Sequence, residues 1–265
     1  MGSFNKIAIV GLGWLGEPLA MELIKIGYTV SGTTTGAEKA ERLCTNGISA
    51  EQWSFDFNDP MPPQCLKDAD VVIITLPPRR HHEVWLEALA FLSSKAEPQA
   101  HLIYTGSTGV YRRTTAENIS NATEEDEIPD SPLARAESII RRSGRPYLVF
   151  RLAGLVGGER NPARFLAGKL DVKGGEAPVN LVHREDVIRA ITLAIEKDIV
   201  QETINICSDE HPLKKDFYPA LAIRNGLKPP KFDLTDTQKG YRVDNRKMKS
   251  LLGMDLKYPD PYHFE

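Results

Sequence analysis

Through the first 150 residues, short uninterrupted apolar runs alternate with segments whose apolar residues recur every three or four positions. "KIAIV" (6–10) has no polar alternation, as expected of a strand buried on both faces. "WLGEPLAMELIKIG" then places Leu15, Leu19, Leu23 and Ile26 on one helical face, with Gly27 at its end. "YTVSGTT" reads as a second strand and "GAEKAERLCTNG" as a second helix, again closed by glycine. "AEQWSFD" and "DVVIITL" are predicted strands three and four, the latter stopped by Pro77-Pro78. The helix "HHEVWLEALAFLSSK" leads to strand five, "HLIYTG". A polar loop at 112–130 precedes the helix "SPLARAESIIRRSG", with Ser131 as N-cap and Pro132 in the first helical position. "YLVFRLAGLVG" is predicted strand six. Regular alternation of strand and helix implies an α/β fold with a parallel, doubly wound sheet.

After residue 158 the pattern changes. "GERNPARFLAGKLDVKGGEAPVN" is rich in glycine and proline and weakly periodic. "HREDVIRAITLAIEKD" is an amphipathic helix, "TINICSD" a strand, and "PLKKDFYPALAIRNG" a helix opened by Pro212 and closed by Gly226. The expected organisation is a nucleotide-binding domain over 1–157, to whose sheet 181–206 returns, and a small C-terminal substrate lobe over 158–265.

Composition narrows the function classes. With 41% hydrophobic and 26% charged residues, the 265-residue chain has ample material for a core. A net charge of -3 argues against nucleic acid as the main partner. Cys44, Cys65 and Cys207 are widely spaced and form no CxxC or Cys/His cluster, so neither a disulfide framework nor a metal site is expected. No apolar run approaches the ~18 residues of a membrane span. The first strand begins by residue 6, which leaves no room for a signal peptide, so a cytoplasmic location is expected.

"GLGWLG" at 11–16 is GxGxxG, and it leaves a predicted strand and opens a predicted helix, the context that pattern requires. Gly11 permits the tight turn, Gly13 lets the backbone approach a pyrophosphate, and Gly16 lets helix pack on strand; Trp14 and Leu15 complete the cofactor-binding loop. The sheet is therefore of Rossmann type. An NAD enzyme usually carries Asp or Glu at the end of its second strand, whereas this chain has Thr33, Thr34 and Thr35. Threonine hydroxyls can donate to a 2′-phosphate and Lys39 is close enough in sequence to assist, so NADP is expected, with NAD the alternative. Asp56 either accepts from the adenine amino group or caps a helix or turn. Leu76 and Pro77, at the end of strand four, contribute apolar packing to the cofactor.

The glycine loop, "YTGSTGVY" (104–111), "FRLAGLVGGERNP" (150–162), "NLVHREDV" (180–187) and "INICSDEHP" (204–212) occur in that order. Together they resemble the extended short-chain dehydrogenase/reductase group, the NAD-dependent epimerase/dehydratase superfamily, and most closely its atypical members. The resemblance spans nearly the whole chain. It implies that Ser107 is the catalytic Ser/Thr that hydrogen-bonds the reacting oxygen. It also implies that Asn180, His183 and Asp186 close the substrate side; the alternative for His183 and Asp186 is an N-terminal helix cap. A homodimer through helices at about 83–95 and 132–143 follows from the same resemblance, although Val84, Leu86, Leu89 and Leu92 can also be buried by the sheet alone.

Two departures from the family stand out. The glycine loop is one residue shorter than the usual GxxGxxG. The Tyr-x-x-x-Lys pair, which supplies the proton and holds the nicotinamide ribose, is absent: with Glu137 aligned to the family's helix, Pro129 and Leu133 occupy the two positions, and no Tyr or Lys lies between Arg112 and Pro146. Substitutes for the pair are Tyr111, otherwise a packing residue, and Arg135, otherwise a solvated charge. Arginine stays protonated, so it can orient an anion but is a poor proton shuttle. Arg79, with Arg80, His81 and His82, either meets substrate or is a polar helix start; Arg160 either clamps a substrate anion or lies on the surface. Two functions fit: an NADP-dependent oxidoreductase or epimerase acting by an atypical mechanism on a small polar or nucleotide-linked substrate, or a non-catalytic NADP-binding sensor or scaffold. A third reading joins GxGxxG and "LPP" to a dehydrogenase class with a helical C-terminal domain, against which the short, proline-rich tail after 226 argues.

Overall fold

A computed structural model of the chain describes all residues except 1–3, 57, 79–81, 112–118, 127, 129 and 265. Its elements in chain order are β1 (Lys6–Val10), α1 (Gly16–Lys25), β2 (Thr29–Thr34), α2 (Ala37–Thr45), β3 (Ser49–Gln52), β4 (Val71–Ile74), α3 (His82–Lys95), β5 (His101–Ser107), β6 (Ser120–Ala122) and α4 (Pro132–Arg141). There follow β7 (Tyr147–Leu152), β8 (Gly154–Val156), β9 (Leu181–His183), α5 (Arg184–Glu196), β10 (Glu202–Ile206), α6 (Lys214–Arg224), β11 (Tyr241–Val243) and α7 (Arg246–Leu252). A seven-stranded sheet runs in the order β10-β7-β5-β4-β1-β2-β3, with β1 paired in parallel to both β2 and β4. The order reverses at β1, and in doubly wound sheets ligands bind outside the carboxyl ends of the strands at that reversal. Ile7 to Val10 and Val71 to Ile74 are buried throughout, which explains their unbroken apolar runs.

The chain divides into two compact units. The first comprises 1–107, 130–151 and 191–203, and the second 108–129, 152–190 and 204–265. In the first, Leu19, Ala20 and Leu23 form the buried face of α1, and the helix is closed by Gly27 N–H to Ile24 O and Tyr28 N–H to Leu23 O. The second unit has its own core, in which Phe217, Tyr218 and Leu221 of α6 pack with Val156, Val179, Leu181 and Phe264.

Several elements differ from the sequence reading. Strand three is expected to reach Asp56, but β3 stops at Gln52; Trp53 N–H still donates to Thr34 O (2.8 Å), and Trp53 and Phe55 line a cavity. The single strand expected over 147–157 is two: β7 in the main sheet, and β8, which pairs in parallel with β9. The break falls at Ala153, whose N–H reaches Ile206 O (3.0 Å). Pro212 does not open α6, because its carbonyl accepts from Val179 N–H and the helix starts at Lys214. The 112–130 stretch, expected to be loop, contains β6, which pairs in parallel with β11.

Candidate functional site

The glycine loop is built by contacts that only its residues permit. Gly11 sits at φ +109°, a conformation that L side chains rarely adopt. Its N–H donates to Thr33 Oγ1 (3.1 Å), and its carbonyl accepts from Thr75 Oγ1 (2.6 Å). Leu12 N–H donates to Thr33 O (2.7 Å), so β1, β2 and the residue following β4 together fix the turn. A Cβ on Gly16 would lie 2.2 Å from Gly11 O, so glycine is needed for α1 to start against the loop. Among the described residues no side chain caps that helix, whose N-cap residue is Leu15. A helix N-terminus of this kind presents backbone N–H groups and a positive dipole end to an anion.

Beside the loop lies a cavity of about 310 Å³. Gly11 and Gly13 of the loop line it together with Thr33, Thr34, Thr35 and Lys39 from the end of β2 onward, and with Leu76, Pro77 and Trp85. Trp53, Ser54 and Phe55 also line it. Eight residues expected to bind cofactor from sequence are thereby brought together. Thr33 is buried with its hydroxyl engaged by Gly11, whereas Thr34 is half-buried and Thr35 exposed. Trp14, Leu15, Gly16 and Asp56 are not among the lining residues. Asp56 instead accepts from Asn58 N–H (2.9 Å), which is the turn-capping alternative. Lys39 Nζ lies 3.0 Å from Glu17 Oε2, and the Arg42 guanidinium holds the same carboxylate with two hydrogen bonds (2.9 and 3.1 Å). Those bonds, Arg42 foremost, keep the Glu17 carboxyl below its ordinary range.

Ser107 ends β5 and is half-buried. On α4, Ser131 caps the helix by accepting from Ala134 N–H (3.2 Å). Arg135 is exposed and paired through both Nε and NH2 with Asp130 (2.9 and 2.6 Å), which pulls the Asp130 carboxyl below its usual range. The opposite face of α4 carries Glu137, fully buried and held by two hydrogen bonds from Arg151 of β7, each 3.0 Å. Arg141 and Thr203 extend the network. From sequence Glu137 serves only as an alignment marker; its partner Arg151 is 14 residues away on another element, with no local signal to link them.

In the second unit, Tyr111 is buried and its hydroxyl donates to Asn205 Oδ1 (2.6 Å). Asn205, fully buried, also donates through Nδ2 to Asp244 O (3.2 Å) and through its N–H to Glu124 (2.6 Å), so it ties three segments. His183 is buried against Tyr258, with ring centroids 3.8 Å apart, and its Nδ1 accepts from Glu185 N–H (3.3 Å) at the start of α5. Asp186 accepts from the backbone of Lys257 (2.7 Å) and Tyr258 (3.0 Å). Burial raises its carboxyl above the ordinary value even so. Asn180 bonds Tyr241 O and Val243 N–H, anchoring β11. Arg160 is exposed on a turn closed by paired backbone bonds with Gly157 (3.2 and 3.3 Å). Arg79 lies outside the described residues.

Residues 6–130 match the NAD binding domain of 6-phosphogluconate dehydrogenase. Solved structures similar over nearly the whole chain are of another kind. The UDP-glucuronic acid 4-epimerase of Bacillus cereus, solved with NAD, is 18% identical with a TM-score of 0.74, covering 97% of this chain and 95% of that one. MoeE5, solved with UDP-glucose and NAD, is 18% identical with a TM-score of 0.76 over the same shares. A conserved protein of unknown function from Silicibacter pomeroyi is 20% identical with a TM-score of 0.75, again over 97% and 95%. The fold is thus that of the NAD-dependent epimerases beyond the Rossmann half as well as within it. Protein YeeZ of Escherichia coli (strain K12) is 37% identical over 274 residues, covering 97% of each chain. An identity of that level sustained along both chains makes this protein a member of the YeeZ family.

Proposed function

We propose that the protein binds NADP in the cavity beside the glycine loop and is an oxidoreductase or epimerase-like enzyme with a non-standard active site, acting on a small polar or nucleotide-linked substrate. One observation carries the cofactor assignment. The wall after β2 offers Thr34, Thr35 and Lys39, with no Asp or Glu among the described lining residues. A carboxylate there would bind a ribose 2′-hydroxyl and repel a 2′-phosphate, whereas hydroxyls and an ammonium suit the phosphate. Trp53, Phe55, Leu76 and Trp85 supply the apolar surface an adenine needs. NAD bound to the similar epimerase and to MoeE5 supports a dinucleotide at the glycine loop; the threonines favour the phosphorylated form.

When bound, such a cofactor supplies hydride chemistry, and the chain supplies binding, orientation and the proton. Ser107 is our candidate for the hydrogen bond to the reacting oxygen. Tyr111 and Arg135 are poorly placed to replace the missing pair, since Asn205 takes the Tyr111 hydroxyl and Asp130 takes the guanidinium. His183 is committed to α5 and Tyr258. Loss of a general acid typically slows a step by about 10²–10⁴-fold without abolishing it.

Those same engagements favour the second reading, a sensor that keeps the cofactor site without chemistry. Single-turnover oxidation of stoichiometric protein–NADPH against a panel of carbonyl compounds separates the two. The enzyme reading expects slow oxidation with some carbonyl and its loss in Ser107→Ala. Tight NADPH binding with no oxidation across the panel supports the sensor.

A further inference from the structure

Lys39 is the one cationic residue among the described residues lining the cavity, yet its ammonium rests on Glu17, a residue outside the lining. Glu17 lies in the first turn of α1, while Lys39 and Arg42 lie three residues apart on α2. The two cations hold the carboxylate differently. Arg42 takes both oxygens through a fork, NH1 to Oε1 at 2.9 Å and NH2 to Oε2 at 3.1 Å. Lys39 makes a single contact, on the oxygen that Arg42 NH2 already shares. A bidentate guanidinium–carboxylate pair is geometrically fixed, whereas an ammonium on a four-carbon stem is readily redirected. If Lys39 turns away, Glu17 therefore stays paired.

We propose that Glu17 is a specificity-determining residue of the dinucleotide site: it holds Lys39 in reserve at the cavity wall, and Arg42 keeps Glu17 satisfied when Lys39 turns to a 2′-phosphate. The proposal rests on the reading of this cavity as the site of NADP. Affinity for the phosphorylated cofactor is then set by competition between two anions for one ammonium. Glu17 lowers that affinity, and Arg42, which does not line the cavity, raises it by weakening the hold of Glu17 on Lys39. NADH, with a neutral 2′-hydroxyl, does not enter the competition. The two neighbours of Lys39 thus act with opposite signs on NADPH and with little effect on NADH.

Calorimetric titration of the full chain with NADPH and with NADH, at low and high salt, tests this. Half-buried ion pairs that remain solvent-accessible, as this one does, correspond to changes of about 3- to 5-fold in a binding constant. Glu17→Gln is expected to tighten NADPH by about that factor, more at low salt, and leave NADH within about twofold. Arg42→Gln is expected to weaken NADPH by about 3-fold with NADH unchanged, and Lys39→Gln to weaken NADPH and cancel the gain when combined with Glu17→Gln. Equal shifts of both cofactors in Glu17→Gln, or weaker NADPH binding in that variant, overturn the proposal. Should Glu17→Gln not fold, Arg42→Gln decides alone: an unchanged NADPH constant rejects it. Failure of the underlying reading looks different, because wild-type protein then binds neither cofactor or prefers NADH. If wild type prefers NADPH and Glu17→Gln leaves the preference unmoved, only the role of Glu17 falls.

Discussion

At the scale of single residues, the glycine loop is constrained by close approach more than by flexibility. Gly16→Ala would place a methyl group 2.2 Å from Gly11 O, and the backbone on either side cannot yield without moving β1 or α1. We expect the variant to lose about 1–3 kcal/mol of stability, with dinucleotide binding weakened at least in proportion; a urea titration with and without NADPH measures both. His211 gives a second residue-scale prediction. Its Nδ1 lies 3.1 Å from Val179 O, and burial lowers its pKa below the ordinary histidine value. An unfolded histidine takes up its proton at about pH 6.5 while the folded one resists, so the stability tied to His211 is present above that pH and lost as pH falls below it. The stability difference between wild type and His211→Gln, followed by urea unfolding, should therefore shrink on acidification; a difference constant with pH would contradict the assignment. These residue roles were unevenly legible. GxGxxG announces Gly11, Gly13 and Gly16 because each is demanded by local geometry, whereas nothing local tells that Thr33 spends its hydroxyl on Gly11 or that Lys39 leans on Glu17.

At the scale of elements, α4 is joined to β7 through Glu137 and Arg151, both excluded from solvent. Glu137→Gln leaves Arg151 without its counter-charge and should destabilise by about 3–5 kcal/mol in chemical denaturation. Glu137→Met with Arg151→Met removes both charges and should recover most of that loss; a double variant as unstable as the single one would contradict this account of the pair. Strands β1 and β4 and helix α4 were readable because burial on both faces and a Ser-Pro start leave strong local patterns. β6 and β11 were not: each has three residues, and Ser120 to Ala122 meet partners at 241–243, so the pairing that makes them strands is non-local. The split of β7 from β8 was hidden for a similar reason, since only β9 shows where the second piece goes.

At the scale of the whole molecule, the order of strands about β1 puts the end of β2, the glycine loop and the end of β4 around one cavity, and these carry the cofactor assignment. The compact units are not contiguous stretches; 108–129 belongs with 152–190 and 204–265, a grouping invisible to a linear reading. Fold class was legible because alternation survives along the chain, while the chemistry was not, because no Tyr or Lys lies between Arg112 and Pro146, where the resemblance would look for its acid–base pair. Occupancy of the cavity by NADP is open to direct measurement. Trp53 and Trp85 line it, so their emission reports its occupancy directly. Titration of tryptophan fluorescence with NADPH and NADH is predicted to give saturable changes with NADPH binding about tenfold or more tighter, a difference of about 1.4 kcal/mol. NADH binding about tenfold tighter than NADPH, or no saturable change with either, would contradict the cofactor assignment.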